Sequence, residues 1–119
     1  MIFIDDPKVF TTPNATMTTF AAPSRGSAEL AAWRVRMTEG ASGPEHTIDR
    51  EQVWLPLTGS LTVTVAGEST VVGPGESVVL PGGVSRRISA PSAVEAVVCM
   101  PAGGLVLHEG ETRPLPWAE

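Results

Sequence analysis

Two turn signals that stand close together constrain the fold of this chain more than any other feature of its sequence. The first is Gly73-Pro74-Gly75-Glu76, the second is Pro81-Gly82-Gly83, and the short apolar run Ser77–Leu80 lies between them. Glycine and proline favour tight turns and interrupt regular structure. The spacing therefore predicts a short β-strand held between two tight bends.

Alternation of side-chain type extends this β pattern to the rest of the chain. Apolar and hydroxyl residues alternate over Ser60–Val65, a return strand is expected at Ser69–Val72, and Ala93–Met100 is mostly apolar, as expected of a strand in the sheet interior. Helix propensity would allow a short helix at Ala28–Ala32, but the alternation of apolar residues and arginine over Leu30–Met37 favours a strand. Together these segments predict an all-β fold.

Charge and composition limit what the chain can bind and where it works. A net charge of -5 and a pI near 4.9 argue against a nucleic-acid partner or an anionic membrane surface, because both need a basic patch. No run approaches the roughly 18 apolar residues of a membrane span, and the start of the chain lacks the pattern of a signal peptide. Cys99 is the only cysteine, so no internal disulfide forms. We therefore expect a cytoplasmic protein that binds neither nucleic acid nor membrane.

Two segments carry residues with the spacing of a known metal site. The first, residues 43–59, includes His46 and Glu51, and the second, residues 75–86, has glycine, then proline six positions later, then glycine and finally Arg86. Taken together they resemble the two signature motifs of the cupin superfamily, in which a His-x-His pair, a later Glu and a third His converge on one metal ion. The resemblance covers about residues 28–101 and implies a small single-domain cupin of the cupin-2-like type, with a jelly-roll barrel (double-stranded β-helix).

Length and composition, together with this resemblance, indicate how the rest of the chain is organised. A chain of 119 residues with 42% hydrophobic content suffices for one domain with a buried core. We expect a single cupin domain over residues 1–119, in which residues 1–27 form an N-terminal arm of short strands and loops. Residues 102–119 are expected to form a tail that packs on the barrel or across a dimer interface, with binding to a proline-recognition domain as the weaker alternative. Small cupins of this kind often pair, so a homodimer is expected.

The metal-binding pattern is degraded in this chain. Only His46 and Glu51 match ligand positions, whereas Ile48 stands where the second His would be and Arg86 where the third would be. Two ligands hold a metal poorly, and a guanidinium stays charged and repels a cation. We therefore predict that the protein uses no metal and no other cofactor. A metal-dependent cupin of the oxygenase type stays open as an alternative if His108, in the tail, joins His46 and Glu51.

The loss of two ligands together with the gain of one cation favours acid-base chemistry. Arg86 facing Glu51 would neutralise a carboxylate inside the barrel. His46 is then expected to shuttle a proton, Glu51 to act as base or to orient His46, and Arg86 to hold a developing enolate, carboxylate or phenolate oxygen. We predict these three as catalytic residues of a metal-independent isomerase, cyclase or dehydratase that acts on a carbonyl or polyketide-like small molecule in bacterial metabolism.

Two other outcomes remain open from the sequence. The three polar residues can equally be a buried salt-bridged cluster, in a barrel that serves as a non-catalytic ligand-binding module or as a scaffold. For the cavity wall, alternation from Glu51 places Val53 inside the barrel and Gln52 and Trp54 outside it. The expected ligand-binding residues are Ile48, Val53, Trp33 and Met37.

Overall fold

Twelve β-strands form two six-stranded sheets in the computed structural model, which describes residues 1–119. The strands are, in chain order, β1 Lys8–Thr11, β2 Thr16–Ala21, β3 Leu30–Met37, β4 His46–Ile48, β5 Gln52–Thr58, β6 Leu61–Val65, β7 Glu68–Val72, β8 Val78–Leu80, β9 Ser85–Ser89, β10 Val94–Pro101, β11 Leu105–His108 and β12 Glu111–Pro114. One sheet has the order β1-β2-β3-β10-β5-β8, and the other has the order β12-β11-β4-β9-β6-β7. The predicted all-β jelly-roll fold is confirmed.

The turn signals of the sequence lie where strands end. The predicted short strand is β8, and the predicted strand Leu30–Met37 is β3 with the same bounds. β6 and β7 form a hairpin across Ala66 and Gly67, whose φ angles of 52° and 78° are left-handed. Left-handed backbone at both loop positions matches the twist of the flanking strands, which explains the glycine at this turn.

The hydrophobic core lies between the two sheets. Strands β3 and β10 pair over their full length, with Val98 opposite Trp33, and alternate side chains of both strands point into the core. The apolar segment Ala93–Met100 forms most of β10 and lies in the sheet interior, as expected, because β10 pairs with β3 on one side and with β5 on the other. Val98 and Met100 are buried, but Cys99 between them is exposed. Only one face of this sheet is covered, so every second residue of the strand faces outward.

A close backbone approach at Gly82 fixes the position of the loop before β5. A Cβ added at Gly82 would lie only 2.8 Å from the carbonyl oxygen of Asp49, so the β8–β9 turn packs directly on this loop. The N–H of Gly83 then donates to the carbonyl of Ile48 at 2.8 Å. The β8–β9 turn therefore holds the end of β4 and the start of β5 side by side.

Both ends of the chain pack on the sheets. β1 and β2 extend the first sheet, and β11 and β12 extend the second. Leu115 and Ala118, near the end of the tail, are buried in the core. The Thr19 hydroxyl donates to the carbonyl of Trp117 at 2.7 Å, and the N–H of Ser24 donates to the carbonyl of Glu119 at 2.8 Å. These two bonds hold the tail against β2 and the turn that follows it.

Helical structure is limited to two single turns of 3-10 helix, Pro23–Arg25 and Pro116–Ala118. Neither is long or apolar enough to cross a membrane. The cytoplasmic location and the homodimer expected from the sequence stay predictions.

Candidate functional site

A cavity of about 570 Å³ lies between the two sheets. Exposed residues such as Pro44 and Arg113 are part of its wall, so the cavity opens to solvent. Its wall comes from both sheets, from the loop between β1 and β2, and from the tail. Its polar and aromatic wall residues include Trp33, His46, Gln52, Trp54, His108 and Trp117.

Arg86 lies behind the wall of this cavity, in contact with Gln52. Only 1% of Arg86 is exposed. Its Nη1 donates to Gln52 Oε1 at 3.1 Å, its Nε to the Val84 carbonyl at 2.8 Å and its Nη2 to the Pro81 carbonyl at 3.1 Å. Trp54 Nε1 also donates to Gln52 Oε1, at 3.1 Å. The buried guanidinium is therefore satisfied by three neutral oxygens and by no carboxylate.

Burial without a counterion affects the electrostatics of Arg86. Desolvation lowers the pKa of Arg86 below its ordinary value. A guanidinium nevertheless keeps its proton in proteins, so the cation is held by the dipoles of the Gln52 amide and of two backbone carbonyls. Its positive charge acts on the cavity through the Gln52 side chain.

His46 begins β4 and lies in the cavity wall, opposite Arg86 in the register of β4 and β9. Its ring is half-buried, and Nδ1 lies 2.9 Å from the carbonyl oxygen of Pro44. Because a carbonyl can only accept, Nδ1 carries the proton in the neutral ring and Nε2 is left as a basic nitrogen. Burial is the main cause that lowers the pKa of His46, with Arg86 and His108 adding to it and the Pro44 bond opposing it. The imidazole is therefore neutral at pH 7.

His108, at the end of β11, lies in the same wall. Its Nδ1 lies 3.2 Å from the carbonyl oxygen of Glu45, and its Nε2 lies 3.8 Å from a carboxylate oxygen of Glu109. Arg113 adds a cation at the mouth. The chain has 13 acidic residues, but none of them belongs to the cavity wall. The cavity is therefore suited to a neutral or an anionic ligand.

Glu51 does not lie where the sequence analysis placed it. It is exposed and makes no ion pair with Arg86, so the expected Glu51–Arg86 pair inside the barrel was wrong. Asp49 accepts a hydrogen bond from the N–H of Leu105 at 2.7 Å, which ties down the loop that leads to β5. Glu51 ends this loop and precedes the first residue of β5. The cavity accordingly contains neither Glu51 nor the guanidinium of Arg86, which was expected to hold a substrate oxygen directly.

The faces of β5 are the reverse of those expected. Gln52 and Trp54 line the cavity, whereas Val53 faces the outer surface, where its partner across the ladder is Val79. The expectation counted alternation from Glu51, and a start shifted by one residue exchanges the two faces of a strand. Val53 is therefore not a cavity residue.

The other sequence-predicted wall residues lie in the cavity. Ile48, Trp33 and Met37 are all buried and line it together with His46. Ile48 fills the position at which the resemblance expects a second histidine. Gln52, Trp54, Arg113 and Trp117 are among the wall residues that the sequence pattern did not indicate.

The residues of this site do not fit a metal ion. No group of three or more His, Cys, Asp or Glu side chains comes together in the structure. The inward positions on β4, β5 and β9 are held by His46, Ile48, Gln52 and Arg86. They supply one imidazole, one alkyl group, one amide whose oxygen already accepts two hydrogen bonds, and one cation. His108 adds a second imidazole to the cavity wall, but Glu51 does not belong to that wall. Metal sites of either the zinc or the non-haem iron type need at least three suitable ligands.

Comparison with known proteins identifies the family. The sequence model of the cupin domain matches residues 33–111, which is more than half of the chain. The chain belongs to the cupin family. A search of curated proteins gives no match to this cupin.

Solved structures similar to this cupin share its fold. An RmlC-like cupin from Shewanella frigidimarina is 20% identical, with a TM-score of 0.71 over 83% of this chain and 86% of that one. A variant of oxalate decarboxylase from Bacillus subtilis is 22% identical, with a TM-score of 0.71 over 82% of this chain but only 28% of that one. A variant of salicylate 1,2-dioxygenase from Pseudoaminobacter salicylatoxidans, in complex with gentisate, is 18% identical, with a TM-score of 0.68 over 78% and 26%. The two enzymes are much longer than this cupin, and at these identities the likeness shows the fold alone.

Proposed function

We propose that this cupin binds a small, largely apolar carbonyl compound and catalyses proton transfer on it without a metal ion, as an isomerase, cyclase or dehydratase. The observation that carries the proposal is the state of His46. Its Nδ1 is engaged by the Pro44 carbonyl, its Nε2 has no hydrogen-bond partner in the chain, and its ring belongs to the cavity wall. A neutral imidazole with a free Nε2 beside a ligand cavity is suited to act as a general base.

The reaction can be written with this one group. His46 Nε2 takes a proton from the carbon next to a carbonyl, and the electron pair moves onto the carbonyl oxygen as an enolate. The imidazolium then shares its charge with the Pro44 carbonyl through Nδ1–H. Return of the proton to another carbon of a conjugated enolate isomerises the compound. Attack of the enolate carbon on a second carbonyl closes a ring, and the alkoxide that forms takes the proton from the imidazolium. Return of the proton to a hydroxyl that leaves from the β carbon completes a dehydration, with water as the leaving group.

The cavity itself supports the expected substrate class. Its volume of about 570 Å³ is in the range of small-molecule sites. Half of its wall residues are apolar, and the flat rings of Trp33, Trp54 and Trp117 are among them. Aromatic walls suit a flat ligand, because stacking buries a large area at low entropy cost. The absence of an acidic residue from the wall favours a ligand that develops negative charge.

Hydrogen–deuterium exchange on a simple ketone tests the proposal. The probe is β-tetralone, a flat bicyclic ketone, and NMR in deuterated buffer follows loss of the protons next to its carbonyl. We expect the protein to accelerate exchange and His46→Gln to slow the protein-catalysed rate by about 100-fold or more. Arg87→Ala is the matched control, because Arg87 is exposed on β9 beside Arg86 and should leave the rate unchanged. A His46→Gln protein that exchanges as fast as the wild type would contradict the proposal.

Ligand binding without catalysis is the second candidate. It is favoured by the position of Arg86, whose guanidinium does not reach the cavity and so does not contact a developing oxyanion. The same probe separates the two functions, since tryptophan fluorescence reports binding. Quenching by β-tetralone with exchange at the rate of buffer alone would favour the binding module.

A further inference from the structure

The side chain of Gln52 has an orientation that its neighbours determine. Gln52 is 3% exposed and lies in the cavity wall. Its Oε1 accepts from both Arg86 Nη1 and Trp54 Nε1, each at 3.1 Å. A flipped amide would turn its own NH₂ group toward these two donors, and two donors cannot bond each other. The amide oxygen is therefore turned toward Arg86, and both of its lone pairs are occupied.

The amide nitrogen of Gln52 is left with spare donor capacity. Its contact within the chain is with the sulfur of Met100, at 3.5 Å, and a thioether is a weak acceptor. The second N–H of Nε2 has no acceptor in the chain. A buried donor without a partner is unfavourable. Because Gln52 is part of the cavity wall, a ligand oxygen is the natural partner for this donor.

Arg86 strengthens this donor from behind. Its positive charge lies against the amide oxygen and draws electron density away from Nε2. Chains of hydrogen bonds polarise one another in this way in a low-dielectric interior. An amide polarised by a cation donates more strongly, and it favours a negatively charged acceptor over a neutral one.

We propose that Gln52 is the specificity-determining residue of this site, donating from Nε2 to an enolate or phenolate oxygen of the ligand, with Arg86 as the positioning residue that orients and polarises the amide. This inference rests on the proposed function and names its substrate class, which is a flat compound whose reacting oxygen becomes anionic. Gln52 takes the role that the sequence analysis gave to Arg86. Proton removal by His46 and charge stabilisation by Gln52 then act on the same substrate from two strands, β4 and β5.

Binding of p-nitrophenol tests the inference without any turnover, because only its ionised form absorbs visible light. We expect the protein to bind the phenolate and to lower the pKa of the bound phenol below that of the free compound. Gln52→Glu is the informative variant, since a carboxylate still accepts from Arg86 and Trp54 but has no N–H to donate. It should fold with a melting temperature at or above that of the wild type, bind the phenolate roughly tenfold to 100-fold more weakly and raise the pKa of the bound phenol.

NMR of the wild-type protein gives a second test that needs no variant. The chain has one glutamine and one asparagine, so its spectrum holds only two side-chain amide groups, from Gln52 and Asn14. Adding p-nitrophenol should move one of the two Gln52 amide protons downfield. The inference is overturned if the wild type does not bind the phenolate, if the Gln52 signals stay in place as it binds, or if Gln52→Glu binds it equally well.

The two proposals fail in different experiments. If the protein catalyses exchange on β-tetralone through His46 but Gln52→Glu does not weaken p-nitrophenol binding, the proposed function is supported and the proposed role of Gln52 is wrong. If Gln52→Glu weakens p-nitrophenolate binding but the protein catalyses no exchange on β-tetralone, the cavity binds an anion and does not carry out the proposed reaction.

Discussion

Gln52 Oε1 accepts a hydrogen bond from Arg86 Nη1 at 3.1 Å, and this contact links the orientation of β5 to the buried charge of β9. A guanidinium that is 1% exposed requires oxygen acceptors nearby. Two of these come from backbone carbonyls of the β8–β9 turn, and the third must come from a side chain on the facing strand. Gln52 supplies it, and with Gln52 turned inward the neighbouring Glu51 and Val53 are excluded from the cavity.

Removal of this acceptor should destabilise the fold. Gln52→Leu puts an apolar side chain of similar size in the wall and leaves one Arg86 N–H and the Trp54 N–H without their acceptor. We expect the free energy of unfolding, measured by urea denaturation, to fall by about 2 kcal/mol or more.

A second variant shows whether the loss comes from the unpaired charge. Gln52→Leu combined with Arg86→Met removes the donor together with its acceptor, and replacement of a whole buried polar pair by apolar groups is often neutral. The double variant should therefore recover much of the loss. If Gln52→Leu is as stable as the wild type, the hydrogen bond to Arg86 contributes nothing to the fold.

The fold could be predicted from the sequence, whereas the side of β5 that faces the cavity could not. Turn residues bracket β8, and alternation identifies β3 with its observed bounds. In β5 the outward set Val53, Leu55 and Leu57 is more apolar than the inward set, which begins with Gln52, so hydropathy indicates the wrong face. His46, Ile48, Trp33 and Met37 do line the cavity, and the roles predicted for them stay predictions.

The partner of Arg86 was also beyond the reach of the sequence. A buried arginine next to a possible carboxylate predicts an ion pair on general grounds. The observed partners are two backbone carbonyls and one amide, and carbonyl positions depend on how the β8–β9 turn closes. The positions of these two carbonyl groups cannot be inferred from the residue types in the sequence.

The lowered pKa of His46 predicts how stability and activity depend on pH. Above the ordinary value of 6.5 the ring is neutral in both the folded and the unfolded chain. As the pH falls through 6.5, the unfolded chain takes up a proton that the folded His46 resists, because burial, Arg86 and His108 disfavour its charge. The stability that His46 contributes is thus present above 6.5 and is lost as the pH falls below it.

NMR titration of the two histidine rings measures this directly, with His46→Gln to assign them. We expect the His46 ring to titrate with a pKa below 6.5. The rate of exchange on β-tetralone should stay constant as the pH falls to 6.5 and should then decrease with a midpoint at the pKa of the His46 ring. A His46 ring that titrates above 6.5, or a rate that falls well before the ring is protonated, would rule out this account of the base.

Two glycines in the turns before and after β6 should differ sharply in their tolerance of alanine. Gly59 and Gly67 both have positive φ angles, of 70° and 78°. A Cβ at Gly59 would clash with the carbonyl oxygen of Ala93, whereas a Cβ at Gly67 would meet nothing within 4 Å. Gly67→Ala should cost only about 1–2 kcal/mol of unfolding free energy, the cost of the left-handed backbone alone. Gly59→Ala should cost more than about 3 kcal/mol, because the backbone must move as well. Equal losses in thermal or urea denaturation would show that the Ala93 contact does not constrain the β5–β6 turn.

Reconstruction of the lost metal ligands should convert this site into a metal-binding one. Ile48, Gln52 and Arg86 face inward with His46, and their present side chains supply no ligand that competes with water for a metal. The combination of Ile48→His, Gln52→Glu and Arg86→His would provide, together with His46, three imidazoles and one carboxylate, a donor set that suits zinc, iron or manganese.

After incubation with Mn, Fe, Co, Ni or Zn salts and dialysis, elemental analysis should find close to one metal per chain in this variant and far less in the wild type. His46→Ala added to the three changes is the control, and it should lower the affinity for the metal. A wild-type protein that retains one metal per chain, and loses it on His46→Ala, would show that the present residues do hold a metal and would remove the basis for chemistry by His46 and Gln52 alone.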